Sequence, residues 1–174
     1  MTVLDYLVLI IVAASVASGS IRGILKAAFS LVSAIAGLVA AAYLYEYAAG
    51  PVAGFFETRR AANLVGFTLI FLTVLIVGSL LSMWLRKGLR RVRLGWVDHT
   101  LGAAFGLLRG WLICSVVYLA LTAFPVRLEA VEHAAFAPAL LEGSRVIVLV
   151  TSSELREKFF DGYAIVKELW EQKN

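Results

Sequence analysis

The chain has 174 residues, of which 61% are hydrophobic and only 16% are charged, against roughly 25% charged residues in soluble domains. This composition excludes an ordinary soluble domain and indicates an all-α membrane protein. The net charge is +4, and its positive excess lies beside the apolar segments, where it indicates membrane orientation rather than nucleic-acid binding.

Four apolar segments predict four transmembrane helices, because a span needs about 17–25 residues. With their flanks, they predict spans at residues 3–21, 25–45, 62–85 and 97–124, which together form a transmembrane domain of residues 1–125. The first segment has no basic residue before Arg22, so we expect a retained helix rather than a cleaved signal peptide. The fourth span forms only if Arg109 is accommodated within it.

The loops between the spans differ in charge, which predicts the orientation. Residues 86–93 carry five Lys/Arg and no acid, and Arg22 and Lys26 follow the first span, whereas residues 46–60 are balanced. The positive-inside rule then puts the first and third loops in the cytoplasm and both termini in the periplasm. Aromatic residues are expected at the interfaces: Trp84 and Trp96 at the inner one, and Tyr43, Tyr45, Tyr47, Phe55 and Phe56 at the outer one.

Residues 126–174 predict a helical C-terminal tail. Residues 138–150 are apolar but too short for a fifth span. Thr151 and Glu154 predict a capping box that opens a helix. That helix has a single apolar stripe with helical spacing, formed by Leu155, Phe159, Tyr163, Val166 and Trp170. Because its polar face carries both signs of charge, we expect the stripe to pack on protein rather than on anionic lipid.

Small residues recur every four positions in the first and fourth spans. The two stripes are Ser15, Gly19 and Gly23 in the first, and Gly102, Gly106 and Gly110 in the fourth. Such stripes let two helices approach closely in lipid, where association depends on van der Waals contact. Membrane helices are rich in glycine in any case. Two three-member stripes, each ending at an Arg-Gly dipeptide, nevertheless predict that the first and fourth helices pack together.

Arg109 lies about 18 Å along a helix from Val97, and therefore deep in a hydrocarbon core about 30 Å thick. A central arginine costs about 2.5–3.5 kcal/mol on insertion scales, so its side chain has to face protein, water or a carboxylate. Asp98 is too far along the helix to pair with it and is expected to meet Arg22, while Asp5 lies toward the outer side. Two interpretations of Arg109 stay open: a structural anchor, and part of a solute path.

The sequence predicts no catalytic, cofactor or metal site. It contains no Gly-rich phosphate loop, no nucleophile elbow, no zinc pattern and no pair of buried carboxylates. Cys114 is the single cysteine and cannot form an intrachain disulfide. His99, beside Asp98, is more typical of an interfacial hydrogen bond than of a proton relay. We therefore expect no enzyme activity.

An aspartate near the start of the first span, Arg-Gly at its end and the pattern D-x3-G-x3-G-x2-R-G in the fourth form one signature. Its residues are Asp5, Arg22, Gly23, Asp98, Gly102, Gly106, Arg109 and Gly110. On these residues the chain resembles the bacterial colicin V production protein family, over about residues 3–124. The resemblance implies an inner-membrane protein needed for production or export of a peptide toxin and for envelope function. It implies no known reaction, and nothing is carried over to the tail after Pro125.

Two functions follow as hypotheses. The first is an accessory or scaffold protein for toxin export or envelope maintenance, with the lipid bilayer and envelope or export proteins as partners. The second is a small transporter or channel with Arg109 lining the solute path. Four spans enclose little lumen, so this second function requires a homo-oligomer. Nucleic acid is not an expected partner, because no recognition fold surrounds the basic loop.

Overall fold

A computed structural model describes residues 2–85, 96–125 and 131–171 of the chain. The described residues form helices and connecting turns, with no strand among them, which confirms the all-α class. The helices are α1 (Val3–Arg22), α2 (Ile24–Val52), α3 (Arg59–Leu85), α4 (Trp96–Ala123), α5 (Ala137–Ile147) and α6 (Ser153–Glu171), with short 3-10 helices at Ala53–Phe55 and Val148–Val150.

Helices α1 to α4 are long and apolar enough to cross a membrane. Two of their boundaries differ from the predicted spans: α2 continues through Glu46 to Val52, and α3 begins at Arg59. A charged residue ends an apolar segment but not a helix, and glutamate is a good helix former. The loop predicted at residues 46–60 is therefore mostly helical. The basic loop of residues 86–93 and the side chain of Trp84 lie outside the described residues.

The four long helices pack in a row rather than in a ring. Helices α2 and α4 are central, α3 packs mainly along α2, and α1 packs mainly along α4. Glycine makes the α2–α3 contact close, because a Cβ on Gly66 would lie 2.5 Å from the carbonyl oxygen of Tyr45. The outer face of α3 presents exposed apolar side chains, among them Leu69, Leu72, Ile76 and Leu80. Such a face suits a lipid environment.

The row of spans has two ends. We call one the tail end, where α1 begins, α2 and α4 finish, and residues Asp5, Tyr45 and Phe124 lie. We call the other the corner end, where α1 turns into α2 and α4 begins, with Gly23 and Asp98 at the turn.

The tail folds back onto the spans. Helices α5 and α6 both pack on α4, and the Ser144 hydroxyl donates a 2.7 Å hydrogen bond to the carbonyl oxygen of Ser115. Leu155, Phe159 and Val166 of α6 are fully buried. The prediction that the stripe of α6 packs on protein is confirmed for these residues. The side chain of Trp170 lies outside the described residues.

Two sequence predictions about the tail end are wrong. The residue that caps α6 is Ser152 rather than Thr151: the Ser152 hydroxyl accepts a hydrogen bond from the Leu155 N–H at 3.3 Å. Thr151 is engaged elsewhere, since its hydroxyl donates to the Val148 carbonyl at 2.7 Å. Tyr45 does not face the membrane interface either, because it is only 2% exposed beneath the tail.

Candidate functional site

The small-residue stripes of α1 and α4 face each other. A Cβ on Gly19 would overlap the carbonyl oxygen of Gly102 and lie 3.0 Å from the Cα of Gly106. A Cβ on Gly106 would overlap the Ser15 carbonyl oxygen, and one on Gly110 would lie 3.1 Å from the Ser15 Cβ. The two backbones therefore touch wherever a glycine presents only hydrogen, as the four-residue spacing predicts.

Two neighbouring side chains at the start of α4 hold the turn between α1 and α2. The Asp98 carboxylate accepts a 2.9 Å hydrogen bond from the backbone N–H of Ile24, the first residue of α2. His99 Nδ1 lies 2.6 Å from the carbonyl oxygen of Ser20, in the last turn of α1. An acid at a helix N-terminus and a donor at a helix C-terminus both satisfy backbone groups that the helices leave without partners. His99 thus makes an interfacial hydrogen bond.

Gly23, at the turn itself, has φ +78° and ψ 169°, a conformation that glycine adopts far more readily than any other residue. A Cβ at this position would also overlap the Asp98 carboxylate. These two constraints explain why glycine follows Arg22 here. The hydrogen bond described for the Asp98 carboxylate goes to the α2 backbone, and a pair between Asp98 and Arg22 stays a prediction.

Asp5 is fully buried at the tail end. One carboxylate oxygen accepts hydrogen bonds from the backbone N–H of Thr2 at 2.7 Å and from its hydroxyl at 3.2 Å. The other accepts a 3.2 Å hydrogen bond from the backbone N–H of Phe136, just before α5. Asp5 therefore ties the start of α1 to the tail, while Arg109 lines a cavity with residues of the corner end.

That cavity lies where α1, α2 and α4 meet. Its enclosed part has room for about one water molecule, and the rest is open to the outside. Among the described residues, its lining contains three basic residues, three serines, three small residues and no acid: Ser15, Ser18, Gly19, Arg22, Lys26, Ala27, Ser30, Gly106 and Arg109. We call this space the corner cavity. It brings Arg22, Gly106 and Arg109 of the predicted signature together with Lys26 of α2.

One nitrogen of the Arg109 guanidinium group lacks a hydrogen-bond partner among the described residues. Its Nε is shielded from solvent and has no hydrogen-bond partner in the part of the chain that the structure describes. Leaving a buried charged donor unpaired is costly, by about 1–3 kcal/mol or more.

At the tail end, charged groups are paired across elements. Lys158 Nζ lies 2.5 Å from Glu154 Oε1 and 2.9 Å from the Tyr45 hydroxyl, and that hydroxyl donates to Glu154 Oε1 at 3.0 Å. The hydrogen bonds from Lys158 and Tyr45 lower the pKa of Glu154. Burial lowers the pKa of Lys158, but its bonds to Glu154 and Tyr45 outweigh burial, so the net shift is upward.

Three neutral hydroxyls of α4 are buried beside the tail. Ser115 Oγ, Tyr118 OH and Thr122 Oγ1 have no partner among the described residues. Within those same residues, no three His, Cys, Asp or Glu side chains converge in a way that could hold a metal ion.

Sequence reasoning missed the site role of Lys26, Ser30 and the Tyr45–Glu154–Lys158 cluster. Lys26 was interpreted only as an orientation charge, although it lies four residues after Arg22, across a single turn. No signal in the sequence connects Tyr45 with Glu154, because 109 positions separate them.

Comparison with known proteins gives one family. The sequence pattern of the family described as "Colicin V production protein" matches residues 4–146. The match extends past Pro125 through most of α5, so it includes part of the tail that the signature residues do not cover.

Two curated relatives are 30% identical to this chain over 121 aligned residues. The alignment covers 70% of this chain and 74% of each relative. They are the colicin V production protein of Escherichia coli strain K12 and the colicin V production protein homolog of Haemophilus influenzae strain Rd. No solved structure matches the chain.

Proposed function

Since the chain belongs to the colicin V production protein family, we propose that it supports production of the peptide toxin colicin V as a multi-pass membrane protein. We further propose that it acts as an accessory or scaffold in export of the toxin or in envelope maintenance, and not as an enzyme. The family match, spanning four apolar helices and α5, is the observation that carries this proposal.

The test is replacement of the relative. An E. coli strain that makes colicin V and lacks its own colicin V production protein receives this chain, and toxin is measured inside the cells and in the medium. Restored toxin in the medium supports the proposal. Toxin that is made but retained would assign the chain to production without export. A folded, membrane-inserted chain that restores neither rejects the role.

We propose the inner membrane as the location, with both termini in the periplasm. Two observations support this orientation: Arg22, Lys26 and the basic loop of residues 86–93 follow the ends of α1 and α3, and the start of α1 contacts the tail through Asp5 and Phe136. A reporter fused after Asn174 should be active only in the periplasm. Activity in the cytoplasm would require an odd number of spans and would refute the orientation.

A second candidate function is favoured by the corner cavity. A small oligomeric transporter or channel would use Arg109 to line its solute path, and the cavity gives Arg109 a polar space shared by three helices. Arg109→Gln separates the two candidates. In a transporter, it abolishes solute uptake into liposomes while protein level and assembly stay intact. In a scaffold, it lowers stability or assembly and leaves no flux to lose.

A further inference from the structure

Helix α5 runs across the row of spans rather than along it. Just before α5, the backbone N–H of Phe136 donates to the Asp5 carboxylate of α1 at 3.2 Å. Just after its 3-10 extension, the Ser152 hydroxyl donates to the Ala42 carbonyl of α2 at 3.1 Å. Along their helices, Asp5 and Ala42 each lie about 27 Å from the turn at Gly23. Because both ends of the segment are held at the same height, it lies roughly perpendicular to the spans.

The height of α5 follows from its contacts with α4. A Cβ on Gly143 would lie 2.5 Å from the Trp111 ring, and the Ser144 hydroxyl donates to the Ser115 carbonyl. Trp111 and Ser115 lie about 20 Å and 25 Å along α4 from Asp98 at the corner end. A hydrocarbon core is about 30 Å thick. If the corner end marks one edge of that core, α5 lies just inside the other edge.

Two observations place the core in this way. The charged residues Arg22, Lys26 and Asp98 lie together at the corner end, and the 20 residues of α1 extend from there by about 30 Å. Helix α6 lies farther out than α5, because a Cβ on Gly162 would overlap the Thr122 carbonyl oxygen, and Thr122 lies about 36 Å along α4 from the corner end. The contacts therefore put α5 within the core and α6 beyond it.

The exposed surfaces of the two tail helices agree with these heights. Val146, at the end of α5, and Leu149 and Val150, in the 3-10 helix after it, are 68%, 62% and 59% exposed. We call these three residues the apolar tail patch. The exposed face of α6 is instead rich in charge, with Arg156, Glu157, Asp161, Lys167 and Glu168 among its residues. An apolar surface suits acyl chains, and a charged surface suits water.

The two sides of α5 differ in the same sense. The guanidinium group of Arg145 is paired with Glu142 at 2.9 Å and lies 5.5 Å from the ring centroid of Tyr163 in α6. Gly143 and Val146 are three residues apart and therefore share a side of the helix, which is the side that contacts α4 nearer the corner end. The charged pair thus lies toward α6 and the water, and Val146 lies toward the centre of the core.

We propose that α5 and the 3-10 helix after it form a membrane segment that lies in the plane of the bilayer, with the apolar tail patch in contact with the acyl chains of the leaflet at the tail end. Amphipathic helices at a membrane surface bury their apolar face about 5–10 Å below the headgroup boundary. This depth agrees with a segment about 20–25 Å from the opposite edge of a core about 30 Å thick.

Continuity with the surface of α4 favours lipid over a protein partner. Leu107 and Leu108 lie one turn from Trp111, where α5 contacts α4, and both are about half exposed. The apolar tail patch therefore extends a surface that already suits lipid. The inference rests on the membrane location proposed above, but neither on the role in toxin production nor on which side of the membrane holds the termini.

The experiment uses the purified full-length chain in vesicles of phosphatidylethanolamine and phosphatidylglycerol. In a Cys114→Ser background, each residue of the apolar tail patch is replaced singly by cysteine and spin-labelled. If that background does not fold, Cys114 is kept, since it is buried. Electron paramagnetic resonance then compares the collision rate of the label with molecular oxygen, which concentrates among acyl chains, and with a water-soluble nickel chelate.

Two further cysteine variants calibrate the measurement. Leu108→Cys, on the exposed apolar surface of α4, is the lipid reference, and Glu157→Cys, exposed on α6, is the water reference within the same tail. The ratio of oxygen to nickel collisions at the apolar tail patch should match that at Leu108 and exceed that at Glu157 several-fold. The corresponding depth should be about 5–10 Å below the headgroups.

Three results would overturn the proposal. A ratio at the apolar tail patch equal to that at Glu157 would show that the patch faces water. Low collision rates with both reagents would show that protein, such as a second copy of the chain, covers it. A water-like ratio at Leu108 would refute the membrane location and this inference with it. A chain that fails to restore toxin but has a lipid-like patch would refute only the proposed role in toxin production.

Discussion

The two ends of the row of spans differ in how their charged side chains are arranged. At the tail end, the carboxylates of Asp5 and Glu154 and the ammonium of Lys158 have hydrogen-bond partners in neighbouring elements. At the corner end, Arg22, Lys26 and Arg109 line one cavity, and the Nε–H of Arg109 is shielded from solvent without an acceptor among the described residues.

The two ends therefore differ in the kind of polar contact that the described residues make. Paired polar groups rigidify a contact, so the hydrogen bonds of Asp5, Glu154 and Lys158 hold α1 and α2 against the tail. At the corner end, three cationic residues on three helices share one space, and like charges held close together repel one another. The hydrogen bonds of the tail end are therefore expected to contribute to the stability of the fold.

The largest expected effect comes from breaking the α1–α4 contact that connects the two ends. Gly106→Leu should abolish folding, because even a Cβ at this position would overlap the Ser15 carbonyl oxygen and the backbones cannot separate without losing the contact. The recovery of monodisperse protein in detergent, by size-exclusion chromatography, measures the effect.

Gly50→Leu is the matched control, since a Cβ on Gly50 meets nothing within 4 Å. Both substitutions make an apolar helix more apolar, so insertion alone does not distinguish them. Cysteines at Ser15 and Gly110, in a Cys114→Ser background, should crosslink, because their Cβ atoms would lie 3.1 Å apart and a shift of a few tenths of an ångström brings them into the disulfide range of about 3.5–4.5 Å. Equal recovery of the two leucine variants, or no crosslink, would contradict a close α1–α4 contact.

The second effect concerns the tail end. Phe159→Ala should lower the free energy of unfolding by about 3–5 kcal/mol, the usual cost of removing a fully buried phenylalanine. Phe160→Ala, one residue later, should cost much less because Phe160 is 40% exposed. Thermal unfolding in micelles measures both. If the two variants unfold alike, the tail does not dock on α4 through the stripe of α6.

The α1–α4 contact and the docking of the tail also show which contacts can be predicted from the sequence. Spacing alone predicted the α1–α4 contact, because small residues every four positions define a face of a helix, and a second stripe with the same spacing supplies its partner. The burial of Leu155, Phe159 and Val166 was predicted in the same way from helical periodicity. Local patterns of this kind are repeated several times in the chain and therefore carry a strong signal.

The contacts that sequence reasoning could not predict each join single residues far apart in the chain. Asp98 was expected to meet Arg22, but its described hydrogen bond goes to the backbone of Ile24, and backbone groups are invisible in a residue pattern. Lys26 reaches the corner cavity because α1 turns sharply at Gly23, and that turn depends on one φ angle. Tyr45 meets Glu154 only because the tail folds back.

The third effect concerns the turn at the corner end. Gly23→Ala should lower the free energy of unfolding by about 1–3 kcal/mol, because an alanine rarely adopts φ +78° and the strain of such a conformation is of that size. The overlap with the Asp98 carboxylate adds to it. Gly54→Ala, at a position with open space, is the control.

A double variant sharpens this test. Asp98→Ala in the Gly23→Ala background removes the overlap but not the strained φ angle, so the double variant should stay less stable than Asp98→Ala alone. Equal stability of those two variants would attribute the whole cost to the carboxylate.

The smallest expected effect is the pH dependence of the stability that the hydrogen bonds among Tyr45, Glu154 and Lys158 contribute. The pKa of Glu154 is lowered in the folded chain by hydrogen bonds from Lys158 and then from Tyr45. A lowered carboxyl pKa contributes stability that is present above the unfolded pKa of about 4.3 and is lost as the pH falls through the folded value.

The Glu154 side chain is 52% exposed, so solvent screening limits the contribution to about 1 kcal/mol or less. Glu154→Gln should therefore lower the unfolding midpoint slightly at pH 6, and this difference should shrink as the pH falls below the unfolded pKa. The matched control is Glu171→Gln: Lys167 and Glu171 have the same spacing as Lys158 and Glu154, but their 3.5 Å pair is more exposed. Both glutamates lie on α6, so an effect of helix charge alone would make the two variants equal, whereas the hydrogen bond from Tyr45 predicts that only Glu154→Gln weakens the docking of the tail.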